Sequence, residues 1–369
     1  MQRMAPYRDF PFEYPPVALG PMLLPRLLPG SSSQSFRTYV WLFLGENAIW
    51  IAVLGSCVLR TARRWMPPRD ATVALLRYGL LAIILAPTIA WRFDLFPAAI
   101  TAAAVIAVLE NSPAVAGALI GLGVATKLYP IALLPALAAW YAARGNWRSV
   151  ARLVGGAVAV SVGALLPFML WAGGDVFSFL RYHERRGLEI ESVPAGILML
   201  TQMAGHATLR VVNNFGAMHL QAGAADEAQR FLAPIFIVAI SLLTAAFFRR
   251  LRRAEERAST LEPLLLEAVL ASLLLVLVTN KAFSPQYLAW LMPFAPFLSR
   301  RPFVLMVILF ALTTVLFPYS FMRLVPLETV PVLLLNVRNA VAVAAGVVLI
   351  THLREGSRLS TTLQAHSRP

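Results

Sequence analysis

The sequence predicts an all-α polytopic membrane protein, and three observations carry that prediction. Hydrophobic residues make up 59% of the 369 and charged ones only 14%, where a soluble domain is about a quarter charged. Apolar runs of membrane length recur from Tyr39 to His352. The basic residues fall in short clusters between those runs, the pattern of cytoplasmic loops. That clustering turns aside the nucleic-acid reading which a formal net charge of +14 invites. The single cysteine, Cys57, lies in an apolar run, so no disulfide framework or cysteine-based metal site is expected. Met1 leads into a polar, Pro-rich segment rather than a cleavable signal peptide.

Eleven apolar segments follow one another at about 38–59, 73–90, 95–109, 114–127, 130–142, 150–171, 231–248, 262–279, 286–298, 302–318 and 329–350. Segments of roughly 13–15 residues fall short of the ~20 needed to cross a bilayer, so several are expected to be tilted, broken or re-entrant. Arg60, Arg63, Arg64 and Arg69 follow the first segment, and Arg144, Arg148 and Arg152 the fifth. Arg249, Arg250, Arg252, Arg253 and Arg257 follow the seventh, Arg300 and Arg301 the ninth, Arg354 and Arg358 the last. All of these clusters fall on one side of an alternating layout, and the positive-inside rule makes that side the cytoplasm.

The expected organisation is an outer segment over 1–36, a membrane domain over 37–354 with a large outer loop at 173–230, and a cytoplasmic tail over 355–369. Within the first segment, 17–28 is apolar with prolines at both ends and reads as a short helix lying in the interface. This layout leaves the N-terminus outside with nothing upstream to carry it across. The expected location is the plasma membrane, with chemistry on the extracytoplasmic side.

Candidate chemistry gathers on that side. The stretch PYRDFPFEYPP at 6–16 sets Asp9 and Glu13 among aromatics and prolines, where a carboxylate suits deprotonation of a hydroxyl on a lipid-borne substrate; a stiff loop with solvated carboxylates is the plainer reading. Only two of the 32 basic residues are lysines, and both land outside. Lys127 precedes Tyr129 and Pro130, and Lys281 precedes Gln286 and Tyr287; an ammonium at such a break suits a phosphate, or it snorkels to the interface. Arg92 and Asp94 flank Phe93, as a surface pair or as a further acidic group of a site.

In the large loop, Arg181, His183, Glu184, Arg185, Arg186, Glu189 and Glu191 form a mixed-charge patch. It is either a phosphate-holding group with His183 as acid or base, or a solvated amphipathic helix. Glu46 and Arg338 lie inside apolar segments and are expected to face one interior cavity, as a structural ion pair or as a substrate contact. No Gly-rich phosphate loop, Gly-x-Ser-x-Gly elbow, His-Glu-x-x-His or clustered zinc ligands occur, so a cytoplasmic nucleotide site has no visible residues and a lipid-linked donor fits better. A transporter would share the helices and intramembrane charges, but no internal repeats are visible.

These pieces resemble the GT-C superfamily of integral-membrane glycosyltransferases, and within it the family 87 polyprenyl-phosphate-mannose-dependent mannosyltransferases. The matching stretches are PYRDFPFEYPP at 6–16, RFDLFPA at 92–98, AGALIGLGVATKLYPIALLP at 116–135, YHERRGLEIES at 182–192 and FSPQYLAWLMP at 283–293, in the expected order. The resemblance implies a many-helix bundle with its site at the outer membrane surface. It also implies metal-independent, inverting transfer of a sugar from a polyprenyl phosphate to a lipid or glycan hydroxyl, with no cofactor. Relatives usually carry an extra N-terminal helix and an acidic Asp-x-x-Tyr-like stretch, holding the base, before the equivalent of 6–16. This sequence starts after that point, so Asp9, then Asp94 or Glu13, is expected to serve as base; otherwise the chain is inactive as written, or a non-catalytic membrane partner. Lys127, with Tyr129, His183, Arg185, Arg186, Lys281, Gln286, Tyr287 and Arg92 around it, is expected to hold the departing lipid phosphate.

Overall fold

A computed structural model describes residues 5–27, 36–255 and 261–355. Ten of the eleven apolar segments are helices. A 3-10 turn, Pro16–Ala18, and α1, Leu19–Leu27, open the chain. Then come α2 (Phe36–Ala62), α3 (Pro68–Ile89), α4 (Leu95–Leu109) and α5 (Pro113–Val124). A 3-10 turn at Tyr129–Leu133 leads into α6 (Leu134–Ala142), followed by α7 (Trp147–Ala172), α8 (Ser178–Arg185) and α9 (Val193–Met203). The long α10 (Gly223–Glu255), α11 (Glu262–Thr279), α12 (Arg300–Thr314), a short α13 (Phe321–Leu324) and α14 (Thr329–Glu355) complete the set. Seven helices among the described residues are long and apolar enough to cross a membrane, making this a multi-pass membrane protein.

Apolar composition all round marks the central helices: α4 buries 13 of its 15 residues and α11 12 of its 18. By contrast α7 turns Val154, Val158, Val162, Leu166 and Leu170 outward, as a lipid-facing helix does. Close backbone approach seats α5 on α7. A Cβ on Gly117 would fall 2.0 Å from the Leu153 carbonyl oxygen, and one on Gly121 2.4 Å from that of Ala157.

The ninth segment, expected at 286–298, is not an α-helix. Pro285, Pro293 and Pro296 remove backbone donors, and the chain runs as 3-10 turns at Pro285–Trp290 and Ala295–Phe297, buried throughout the bundle. It still travels from one end to the other: Trp290 bonds Asp94 at one end, and Phe297 packs on Trp65 at the other.

The expected alternation is visible in what meets what. At one end Arg60 pairs with Glu110 at 2.6 Å, Arg144 with Glu255 at 2.8 Å, and Arg252 reaches the Ala143 carbonyl. At the opposite end residues 5–18, 91–94, 126–130, the 178–222 region and 280–290 gather. There β1 (Leu188–Glu189), β2 (Arg210–Asn214) and β3 (Ala217–Gln221) form an antiparallel sheet in the order β1-β3-β2. Phe215 and Gly216, both at positive φ, close its hairpin.

The expected pairing of Glu46 with Arg338 does not form. Glu46 accepts from Trp50 Nε1, one turn along its own helix, at 3.1 Å. Arg338 donates through Nη2 to the Glu191 carbonyl at 2.6 Å and lies 3.9 Å over the Phe283 ring, because the loop after β1 descends onto α14; its Nε and Nη1 are buried without a hydrogen-bond partner. The tail expected over 355–369 lies, beyond the backbone of residue 355, outside the described residues, as do Arg257 and Arg358.

Candidate functional site

A cavity of about 620 Å³ opens at the end where the loops gather. Its polar end is lined by Tyr14, Lys127, His183, Arg186, Lys281, Tyr287 and Trp290. Its apolar end is lined by Ile131, Ala132, Leu232, Ala233, Phe236 and Val276, from the 3-10 turn before α6, from α10 and from α11. Ile131 is 55% exposed on the rim, so the apolar wing opens sideways through the helix bundle.

Lys127 sits where α5 has ended and Pro130 forbids its continuation; its N–H closes on the Gly123 carbonyl at 2.7 Å. Its ammonium donates to Asp94 Oδ1 at 2.7 Å, and Trp290 Nε1 donates to the same oxygen at 2.9 Å. Four rings surround the ammonium at 4.9–5.3 Å: Tyr14, Phe93, Tyr287 and Trp290. Tyr129 and Tyr287 stack on Trp290 at 3.8 and 4.3 Å. Asp94 is thus paired with Lys127, 33 residues on, and not with its neighbour Arg92, which is exposed.

The 6–16 stretch folds onto this site. Tyr7 is buried and donates to the Tyr14 carbonyl at 2.6 Å, Tyr14 packs edge-on against Phe93, and Val17 N–H bonds the Ala125 carbonyl. Tyr7, at φ 69°, opens a tight turn that carries Asp9, and Glu13 follows it. Asp9 faces solvent and accepts from the Ala5 N–H at 2.7 Å. Glu13 faces inward, 3.6 Å from Arg186 Nη1.

The 181–192 patch divides in two. Arg181, Glu184 and Arg185 are solvent-exposed along α8, whereas Arg186, Glu189 and Glu191 are buried. Arg186 is held from three sides: by Glu13, by Glu189 Oε2 at 3.6 Å, and by His219 Nε2, which accepts from its Nε at 3.2 Å. Burial and the adjacent Arg186 lower the His219 imidazole to about 4, keeping it a neutral acceptor. Glu189 also accepts from Ser284 Oγ at 2.8 Å. Burial, with Glu189 beside it, pushes the Glu191 carboxyl up to about 8.

Lys281 donates to the carbonyls of Glu184 and Arg186 at 3.0 and 2.7 Å, fixing the turn that presents Arg186. Burial, with Arg186 nearby, lowers its ammonium to about 8. Gln286 is buried without lining the cavity. Among the described residues no group of three or more His, Cys, Asp or Glu side chains is placed to hold a metal ion.

The structure therefore brings Lys127, Tyr129, His183, Arg186, Lys281 and Tyr287 to one cavity, with Asp94 and Glu13 against its cations. It leaves Asp9, Arg92, Arg185 and Gln286 off the lining. Sequence reasoning missed Trp290 and His219. Trp290 carried a signal, lying within FSPQYLAWLMP; His219 carried none, because only strand pairing brings it to Arg186.

A cationic head of buried, oriented donors joined to an apolar wing suits an amphiphile that ends in a phosphate. The family model described as glycosyltransferase family 87 matches residues 12–279, and the chain belongs to that family. It is accordingly a glycosyltransferase of the membrane. The matched range takes in Glu13, Asp94, Lys127 and Arg186, while Asp9 precedes it and Lys281 to Trp290 follow it. No curated protein matches the chain.

Proposed function

We propose that the protein transfers a sugar, mannose, from a polyprenyl phosphate to a lipid or glycan hydroxyl, at the extracytoplasmic face of the plasma membrane. The observation that carries this reading is the continuity of the cavity. The cations Lys127, Arg186 and Lys281 stand at one end and an apolar wing opens between α10 and the Tyr129–Ala142 segment at the other. The polyprenyl chain lies in the wing and its phosphate among the cations. The orientation is supported by the arginine clusters, which gather at the opposite end of the bundle.

Of the three carboxylates expected as base, Glu13 fits best: it adjoins the cavity through Arg186, where Asp94 is engaged by Lys127 and Asp9 faces away. Glu13 takes the proton of the acceptor hydroxyl, and the hydroxyl oxygen attacks the anomeric carbon. The bond from that carbon to the phosphate oxygen breaks, its electron pair leaving with the polyprenyl phosphate, and the anomeric configuration inverts. Charge grows on the phosphate in that step, where Arg186 and Lys281 meet it without rearranging, because each is already fixed by protein partners. Asp94 is a positioning residue, holding Lys127 in its ring of aromatics. The transfer needs no metal in this scheme.

The test is sugar transfer in membranes containing this chain, supplied with labelled polyprenyl-phosphate mannose. Glu13→Gln is expected to lose about 10²–10⁴-fold in turnover while still binding donor, and Asp9→Asn to stay within about twofold. The reverse ranking moves the base to Asp9.

A further inference from the structure

The end of the bundle opposite the cavity holds a second, smaller depression of about 90 Å³. Arg249, Arg250 and Arg253 of α10 line it together with Ala246, and Arg354 enters from the last turn of α14. Positions 246, 249, 250 and 253 share one face of α10. Arginines in a last turn are accounted for by the helix macrodipole. Four of them converging on one depression are not, since like charges spaced as Arg249 and Arg253 are destabilise a helix by a few tenths of a kcal/mol.

Among the described residues no carboxylate lines the depression or lies within 4.0 Å of these four side chains. Glu255, in the same turn of α10, is turned away to Arg144. The Nε of Arg250 is buried with no hydrogen-bond partner. About two turns back along each helix the surface becomes apolar and outward-facing, with Leu242 63% and Val347 55% exposed.

We propose that this depression binds the phosphate group of an anionic phospholipid, whose acyl chains lie on the apolar flanks of α10 and α14. Guanidinium groups match phosphate oxygens in a planar fork, and arginines crowded beside a membrane attract anionic headgroups. Inorganic phosphate presents the same chemistry; the apolar flanks assign the site to a lipid. The inference is independent of the sugar-transfer reading.

The test takes the full chain in mixed micelles with phosphatidylglycerol and phosphatidylcholine and counts retained lipid by native mass spectrometry. The wild type is expected to retain phosphatidylglycerol in preference. Arg250→Gln with Arg354→Gln is expected to lower that preference about tenfold or more, the consequence of losing even one charge-assisted contact. Arg250→Lys with Arg354→Lys keeps the charge and loses the fork, so an intermediate preference confirms that the Gln variant did not merely unfold. In a parallel arm, inorganic phosphate that raises the wild type's Tm, without any lipid preference, overturns the lipid assignment and leaves a soluble phosphate as ligand. Equal retention of both lipids by wild type and Gln variant, with no effect of phosphate, overturns the proposal entirely.

Discussion

The two ends of α4 each carry a carboxylate in an ion pair, and the pairs differ in everything but length. Asp94, before the first turn, meets Lys127 at 2.7 Å with both side chains under 10% exposed. Glu110, after the last turn, meets Arg60 at 2.6 Å with side chains 31% and 64% exposed. Water screens the second pair and leaves it worth about 0–1 kcal/mol. The first has been stripped of water, so each charge depends on the other and on Trp290 and the four rings around the ammonium. The same contrast runs through the whole bundle. At the arginine-rich end, charge is exposed and tolerates loose placement; at the cavity end, Lys127, Arg186 and Lys281 each have protein partners that fix where they point.

That contrast can be broken or sharpened by substitution. The largest effect is expected at Asp94→Asn, which strands a buried ammonium: about 3–5 kcal/mol of stability and most of the activity should go, read by thermal unfolding and by transfer assay. An Asp94→Asn protein as stable as wild type would erase the distinction between the two ends. Next comes Gly121→Val, which places a branched side chain where even a Cβ lies 2.4 Å from the Ala157 carbonyl. It should cost about 1–3 kcal/mol by forcing α5 off α7, with Lys127 displaced at the end of the same segment.

Smaller, and of opposite sign in two readouts, is the effect of pH through Lys281. Its folded ammonium lies at about 8 against an ordinary 10.5. The folded protein therefore loses that proton as pH rises through about 8, and the KM for a phosphate-bearing donor should climb. Between about 8 and 10.5 the unfolded chain still holds the proton, so this group makes stability rise with pH in that window while donor binding falls. Lys281→Arg, charged throughout, should move the alkaline rise in KM to higher pH. The smallest effect is expected at Glu110→Gln, within about 1 kcal/mol and without consequence for transfer.

Much of this was legible in the sequence, for reasons that are themselves physical. Membrane length and apolar composition gave ten of the eleven segments, since a helix in lipid has few alternatives. The one exception, 286–298, carries Pro293 and Pro296 and follows Pro285, and their spacing was the available warning. Both lysines were placed at the site end by alternation alone. What could not be read was pairing at long range. Lys127 with Asp94, Arg186 with His219 and Arg338 with the Glu191 carbonyl are separated by 33, 33 and 147 residues, and no local pattern joins them. Nor did composition distinguish Asp9 from Glu13. Asp9 sits in the exposed turn that Tyr7 opens, Glu13 lies beyond it and reaches Arg186, and the Tyr7 ring packs against Phe12 and Phe168.

The most direct test of the account is binding of polyprenyl-phosphate mannose to the purified full chain, measured for wild type, Arg186→Gln and Glu13→Gln, with transfer followed in the same samples. The account predicts that Arg186→Gln loses donor affinity by about tenfold or more, while Glu13→Gln keeps affinity and loses turnover. Unchanged donor binding in Arg186→Gln, or full turnover in Glu13→Gln, would contradict it.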